Sequence, residues 1–144
     1  MVAAGFSALL ALGVAHLIGD LWARPRPYVA HPLAAHLFTS PSADPSFPSD
    51  HATAAFAIAV AILVRHRKAG ILALAMAVVL SISRVAIGTH YPSDVVGGAA
   101  LGTLAALVFS HPRVRRPLHA LADWAAGLYE RVVEALIRAA PLRA

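Results

Sequence analysis

The twelve residues Ser83-Arg84-Val85-Ala86-Ile87-Gly88-Thr89-His90-Tyr91-Pro92-Ser93-Asp94 decide the fold. They bridge two apolar stretches, one from Ala69 to about Ser83 and one from Val95 to Phe109. Two apolar stretches with a short polar bridge read as a pair of spanning helices joined at one face of a bilayer. Working outward, two more such stretches appear. One runs from about Val2 to Ala23, interrupted by His16 and Asp20, and one from Ala52 to Val64. A span needs roughly 17–25 residues. The last three stretches reach that length only by taking in flanking polar residues, which places polar groups partway into the bilayer, where they are expensive and usually functional.

Composition agrees. Of 144 residues, 59% are apolar and 13% charged, about half the roughly 25% of ordinary soluble domains. Too little polar surface remains to cover a water-soluble bundle of buried helices. The expected fold is therefore all-α, an integral membrane bundle of about four transmembrane helices. Cysteine is absent, which excludes a disulfide framework, a thiolate zinc site and a cysteine nucleophile. Twelve Lys+Arg against seven Asp+Glu give a net charge of +5. That balance suits anionic partners, and the high hydrophobicity argues against nucleic acid as one of them. No Lys or Arg precedes the first stretch and no small-x-small cleavage site follows it, so it reads as a retained helix rather than a signal peptide.

Loop charge gives the orientation. Arg65-His66-Arg67-Lys68 follows the second stretch, and Arg113, Arg115 and Arg116 follow the fourth. Both segments share a face with the N-terminus, and this face is expected to be cytoplasmic. The tail from Leu118 to Ala139 is of another kind. Leu118, Leu121, Ala125, Leu128, Val132, Ala135 and Ala139 recur at three and four residues, with Asp123, Glu130, Glu134 and Arg138 off that stripe. Pro117 and Pro141 bracket it. It reads as an amphipathic C-terminal helix lying on the membrane surface, forming a dimer seam or packing on the bundle. The expected organisation is a membrane-embedded core over 1–112 and a cytoplasmic basic segment with the amphipathic helix over 113–144. Gly98 and Gly102 form a small-x-x-x-small pair suited to close helix packing.

Three polar clusters fall on the other face. The first is Arg24-Pro25-Arg26-Pro27, directly after the first stretch. The second is Phe47-Pro48-Ser49-Asp50-His51, directly before the second. The third is Ser83, Arg84, His90 and Asp94. Two or three guanidiniums in one place suit a phosphate, because each offers a planar fork of donors. Ser49 and the start of the second helix can add hydroxyl and backbone N–H donors. Two histidines supply a nucleophile or base and an acid near neutral pH. Asp94 follows His90 by four residues, so one helical turn brings its carboxylate toward the imidazole, where it can fix the tautomer. Asp20, four residues before Arg24, reads as the partner of an arginine. No carboxylate cluster or His-x-x-x-His pair points to a metal, and no cofactor is expected. His16, His31, His36, His66, His111 and His119 are read as structural.

These clusters resemble the type-2 phosphatidic acid phosphatases, a family that shares its fold with vanadium haloperoxidases. Its pattern is Lys-x6-Arg-Pro, then Pro-Ser-Gly-His, then Ser-Arg-x5-His-x3-Asp. The third motif matches in full at Ser83, Arg84, His90 and Asp94. The second appears as Pro48-Ser49-Asp50-His51, with Asp50 where glycine is usual. The first matches at Arg26-Pro27, but Gly19 stands where the lysine belongs. The resemblance covers about residues 19–103 and is nearest to the bacitracin-resistance type of undecaprenyl-diphosphate phosphatase. It implies a metal-independent membrane enzyme that removes the terminal phosphate of a lipid phosphate at the outer face of the bacterial cytoplasmic membrane. It implies His90 as nucleophile, Asp94 as its orienting carboxylate and His51 as acid and then base. It implies Arg26, Arg84, Arg24 and Ser49 as phosphate ligands, with Asp50, Ser83 and Asp20 supporting. Arg24 stands in for the absent lysine. Phosphatidate, phosphatidylglycerophosphate and polyprenyl-phosphosugars are the rival substrates, and a non-catalytic lipid-phosphate-binding protein is the rival of another class. The family has about six spans, so this chain begins near the third, and a homodimer is one way to complete the bundle.

Overall fold

The computed structural model describes residues 2–33 and 37–139. His36 and Pro141 lie outside them. Among the described residues there are helices and no strands: α1 (Val2–Trp22), α2 (Pro27–Ala30), α3 (Asp50–Leu63), α4 (Arg67–Ala86), α5 (Pro92–Ser110) and α6 (Pro112–Ala139). Three stretches, Ala4–Ala30, Arg67–Ala86 and Pro92–Ser110, are long and apolar enough to cross a membrane. The second of the four expected spans is shorter. α3 has 14 residues, about 21 Å at 1.5 Å per residue, against a hydrocarbon core of about 30 Å. α3 is the central helix, with α1, α4 and α5 packed around it.

Small residues set that packing. Ala52, Thr53, Ala57, Ala59, Val60 and Ala61 of α3 are buried, as are Ala11 and Ala15 of α1, Ala77 of α4 and Ala106 of α5. Lipid tails are as apolar as leucine, so helices associate in a bilayer through close contact rather than hydrophobic burial. Gly98 and Gly102 take this to its limit. A Cβ on Gly98 would lie 2.5 Å from the Ser49 carbonyl oxygen, and one on Gly102 would run into the Thr53 carbonyl. The large apolar side chains face outward instead, Leu72, Met76, Val79, Ile82 and Leu104 among them.

Local chemistry sets the helix starts on the polar side. Pro92 occupies the first turn of α5, where a missing N–H costs nothing. The Asp94 carboxylate reaches back to accept the Tyr91 N–H at 2.9 Å, and an acid in this turn also suits the helix dipole. At the opposite end, His111 is extended (φ −65°, ψ 134°) and separates α5 from α6. α6 begins at Pro112, six residues before the expected start, and Pro117 lies inside it. The periodicity placed the tail helix correctly, but Pro117 is not its boundary. As the sixth residue of α6, Pro117 cannot donate to the Arg113 carbonyl and its ring crowds that group, yet the helix continues through it.

Candidate active site

The polar loops between α1 and α3 and between α4 and α5 meet on one side of the bundle, around a cavity of about 200 Å³. Arg26, Asp50, His51, Arg84 and His90 all line it. Arg26, His51, Arg84 and His90 thus converge as the alternating topology of the apolar stretches requires.

His90 is only 5% exposed. Its Nδ1 lies 2.8 Å from the Ser46 carbonyl oxygen. A carbonyl only accepts, so Nδ1 carries a proton, and in the neutral ring the lone pair is then on Nε2. Asp94 does not make that hydrogen bond. Its Oδ2 is 3.8 Å from His90 Nδ1, and the carboxylate is fully buried. Instead it collects the Ser46 hydroxyl at 2.5 Å, the Tyr91 N–H at 2.9 Å and the Arg24 guanidinium at 2.6 Å. Ser46 therefore holds both members of the His–Asp pair, its carbonyl on one and its hydroxyl on the other. Nothing in the sequence pattern singles out Ser46, since its role depends on a loop conformation two residues ahead of the Pro48-Ser49-Asp50-His51 motif.

The arginines divide. Arg84 lines the cavity, its Nε is buried without a partner, and its side chain makes no hydrogen bond or ion pair among the described residues. Arg26 donates from Nε to the Asp44 carbonyl at 2.9 Å and from Nη1 to the Thr89 carbonyl at 3.4 Å, which fixes its fork at the cavity wall. Arg24 is placed differently from the expectation. Its Nη1 donates to Asp94 Oδ1 and to Ser93 Oγ at 2.8 Å, and its guanidinium carbon stands 4.1 Å from the centre of the Tyr91 ring. It braces the His–Asp pair from behind and is not on the cavity wall. Asp20 accordingly has no arginine partner among the described residues, because the carboxylate that Arg24 takes is Asp94.

The remaining expected residues are also placed. Asp50 lines the cavity, with His16 Nε2 at 3.9 Å from its Oδ2. Ser49 is fully buried, its hydroxyl has no partner, and its N–H donates to the Asp94 carbonyl at 3.0 Å. It lies behind the wall and ties α3 to α5. Ser83 donates its hydroxyl to the Leu80 carbonyl at 2.6 Å, within its own helix. At Gly19 a Cβ would lie 3.4 Å from the Phe47 carbonyl and 3.6 Å from the Pro45 Cβ. A side chain there would pack against the loop that carries Ser46. Tyr28, Thr89 and Asp44 line the cavity without having been read from the sequence. Among the described residues, no group of three or more His, Asp or Glu is placed to hold a metal ion.

The fold and site define a helical membrane bundle that presents two histidines and two arginines to one polar cavity, a set of donors suited to an anionic group. Comparison narrows the class. The model of the PAP2 superfamily matches residues 1–117, and the chain belongs to that superfamily. It is 34% identical over 135 residues to the undecaprenyl-diphosphatase BcrC of Bacillus subtilis (strain 168), covering 94% of this chain and 68% of that protein. It is 42% identical over 109 residues to the decaprenylphosphoryl-5-phosphoribose phosphatase of Mycobacterium tuberculosis (strain ATCC 25618 / H37Rv), covering 74% and 58%. Among solved structures it is similar to a transmembrane PAP2-type phosphatidylglycerolphosphate phosphatase from Bacillus subtilis. There the TM-score is 0.57 and the identity 30%, covering 74% of this chain and 57% of that one. The chain thus spans between just over half and about two thirds of the length of these relatives.

Proposed function

We propose that this protein is a lipid phosphatase that hydrolyses the terminal phosphate of undecaprenyl diphosphate through a phosphohistidine on His90. The observation that carries the reading is the Arg84 guanidinium, unpartnered and lining a cavity shared with Arg26, His51 and His90. A buried N–H without an acceptor is costly, and the Arg84 Nε is one; a phosphate dianion supplies acceptors for the guanidinium fork and a counter-charge. The similarity to BcrC favours the polyprenyl diphosphate over a glycerolipid.

In this reading His90, held through Nδ1 by the Ser46 carbonyl, is the nucleophile, and His51 is the acid and then the base. His90 Nε2 attacks the terminal phosphorus and forms an N–P bond as the bond from phosphorus to the bridging oxygen breaks. His51 gives a proton to that leaving oxygen, and the lipid monophosphate departs. The imidazole becomes cationic while Nδ1–H stays on the Ser46 carbonyl, and Asp94 at 3.8 Å stabilises the new charge. His51, now neutral, takes a proton from water, the hydroxyl attacks phosphorus, the N–P bond breaks and inorganic phosphate leaves. Dividing one difficult displacement into two is covalent catalysis. Arg26 and Arg84 hold the equatorial oxygens, where charge accumulates.

The hydrocarbon chain has a place beside the site. α4 and α5 both pack on α3, and between them runs an apolar groove of about 520 Å³ walled by Phe56, Val78, Ile82, Val85, Val95 and Val96. Its upper end is next in sequence to Arg84 and within two residues of His90. The cavity would then lie at headgroup depth on the extracytoplasmic face of the bacterial inner membrane, opposite the basic loops and the chain termini.

The test is phosphate release by the purified protein in detergent with EDTA, from undecaprenyl diphosphate, phosphatidate and phosphatidylglycerophosphate in parallel. Release from the diphosphate, at the highest kcat/KM of the three, is expected. Preference for a glycerolipid would keep the chemistry and overturn the substrate. A strict need for a divalent metal would overturn the arginine clamp. Binding of all three without release would favour the non-catalytic reading.

A further inference from the structure

The face opposite the catalytic cavity carries a second basic cleft. Arg65, Arg115 and Arg116 line it, with Ala120 and the carboxylate of Asp123, around about 510 Å³. Arg65 and Arg115 also border a smaller hollow of about 270 Å³, whose other walls include Ala4, Ala61, Ile62 and Val64. Arg115 and Arg116 make no side-chain hydrogen bond or ion pair among the described residues. Arg67, Lys68 and Arg113 stand beside them in sequence. A cationic cleft opening onto an apolar hollow has the two-part chemistry of a phospholipid, an anionic headgroup and the first methylenes of its chains.

α6 gives a separate sign of a membrane surface at this end of the bundle, on the side of the helix away from Asp123. It leaves α5 after one extended residue, His111, so its first turn sits at the end of a membrane-spanning helix. Among the described residues it packs only on α1 and α5. Leu121, Trp124, Leu128, Tyr129 and Val132 are 46–71% exposed, and their spacing puts them on one stripe. Asp123, Glu130 and Arg138 lie across the helix from it. A stripe tipped by Trp and Tyr, on a helix that starts at the bilayer boundary beside six basic residues, fits a membrane surface. The positive charge selects an anionic one.

We propose that the Arg65–Arg115–Arg116 cleft binds the headgroup of an anionic phospholipid of the leaflet opposite the catalytic cavity, and that α6 lies on that leaflet with Trp124 in its interface. The bilayer, rather than a second copy of the chain, covers the exposed stripe.

Trp124 is a built-in reporter, because the chain has two tryptophans and Trp22→Phe leaves it alone. The full chain with that change is placed in vesicles of phosphatidylcholine, or of phosphatidylcholine with phosphatidylglycerol. Each contains phosphatidylcholine spin-labelled at a shallow or a deep chain position. The expected result is stronger quenching of Trp124 by the shallow label, rising when phosphatidylglycerol is added. The rise is lost in Arg115→Gln/Arg116→Gln and kept in Arg115→Lys/Arg116→Lys, with helicity by circular dichroism unchanged in both. Adding free inorganic phosphate leaves the signal unchanged. Trp124 unquenched at either depth, or quenched equally with and without phosphatidylglycerol, would overturn the proposal. So would shielding that disappears as protein is diluted into lipid, since this would give the stripe to a second copy. Loss of the signal on adding phosphate would reduce the cleft to a general anion site.

Discussion

Arg24 donates to the buried carboxylate of Asp94 across 70 positions of sequence, at 2.6 Å, and this contact joins the loop after α1 to the first turn of α5. The same carboxylate takes the Ser46 hydroxyl, and the Ser46 carbonyl takes His90 Nδ1–H. The chain from Arg24 to His90 therefore runs guanidinium, carboxylate, serine, imidazole. Arg24 touches Asp94 and does not line the cavity, so in the proposed mechanism its effect would run through Asp94.

That placement separates two kinetic outcomes. Removing one partner of a buried ion pair costs about 3–5 kcal/mol, because a charge is left uncompensated. Arg24→Gln should lower thermal stability and kcat together, with KM for the lipid phosphate nearly unchanged. A phosphate ligand would instead show a raised KM. Steady-state kinetics beside thermal unfolding in detergent distinguishes the two, and a large rise in KM at normal stability would return Arg24 to the cavity.

Ser46→Ala removes one hydrogen bond to a charged acceptor and keeps the carbonyl bond to His90. Such bonds contribute about 1.5–3 kcal/mol. A moderate fall in kcat is expected, smaller than that from Asp94→Asn. The Arg24/Ser46 double variant should lose less than the sum, since both act on one carboxylate. Additive losses would show that the two residues are not one network.

Arg84 and Arg26 should behave in the opposite way to Arg24. Arg84→Ala removes charge-assisted bonds to the phosphoryl group, about 1.5–3 kcal/mol, or roughly 10- to 150-fold in kcat/KM. Because its Nε is unpartnered in the protein, the change should leave the unfolding temperature equal or raised. Arg84→Lys restores charge but not the planar fork, so it should recover only part of the activity. A variant of normal activity at this position would remove the guanidinium from the phosphate site.

Much of this site is legible from residue order alone. Hydropathy marks where the chain crosses and returns, so residue order places Arg26, His51, Arg84 and His90 on one face. Three features are not legible. α3 is central, surrounded by α1, α4 and α5, and a hydropathy pattern carries no information about neighbours. Arg24 and Arg26 are identical in type and two residues apart, and only the turn at α2 decides which of them faces the cavity. Ser46 contributes through its backbone carbonyl, an atom that every residue has, so its identity predicts half of its role at most. The start of α6 at Pro112 shows the same limit, since Pro117 reads as a boundary unless the preceding turn is known.

The contact of α3 with α5 sets the distance between His51 and the His90–Asp94 pair, which makes Gly98 a sensitive position. Replacing glycine by alanine inside a helix gains up to about 1 kcal/mol in propensity. At Gly98 the new methyl would lie 2.5 Å from the Ser49 carbonyl, and overpacking costs typically about 1–3 kcal/mol. The clash is with backbone, so it wins. Gly98→Ala should be less stable and less active, whereas Gly13→Ala, which meets nothing within 4 Å, should be neutral or slightly stabilised. Equal unfolding temperatures for the two variants would refute the close-packing account.

The two histidines should fail differently, and the difference tests the intermediate. His90→Ala removes the nucleophile, so neither turnover nor labelled protein is expected from a terminally ³²P-labelled lipid diphosphate. His51→Ala keeps the nucleophile and removes the acid and base. Loss of general acid–base help costs about 10²- to 10⁴-fold, but unequally over the two steps. The departing lipid phosphate is a far weaker base than hydroxide, so its release needs little proton assistance, while attack by neutral water needs a base. The second step should slow more than the first, and phosphoenzyme should accumulate in His51→Ala. A phosphohistidine survives alkali and is lost in acid, which sets the quench and identifies the bond. Label on the His51→Ala protein that is stable in alkali and absent from the His51→Ala/His90→Ala double variant is the expected result. Turnover by His90→Ala, or an intermediate that resists acid, would assign the nucleophile elsewhere.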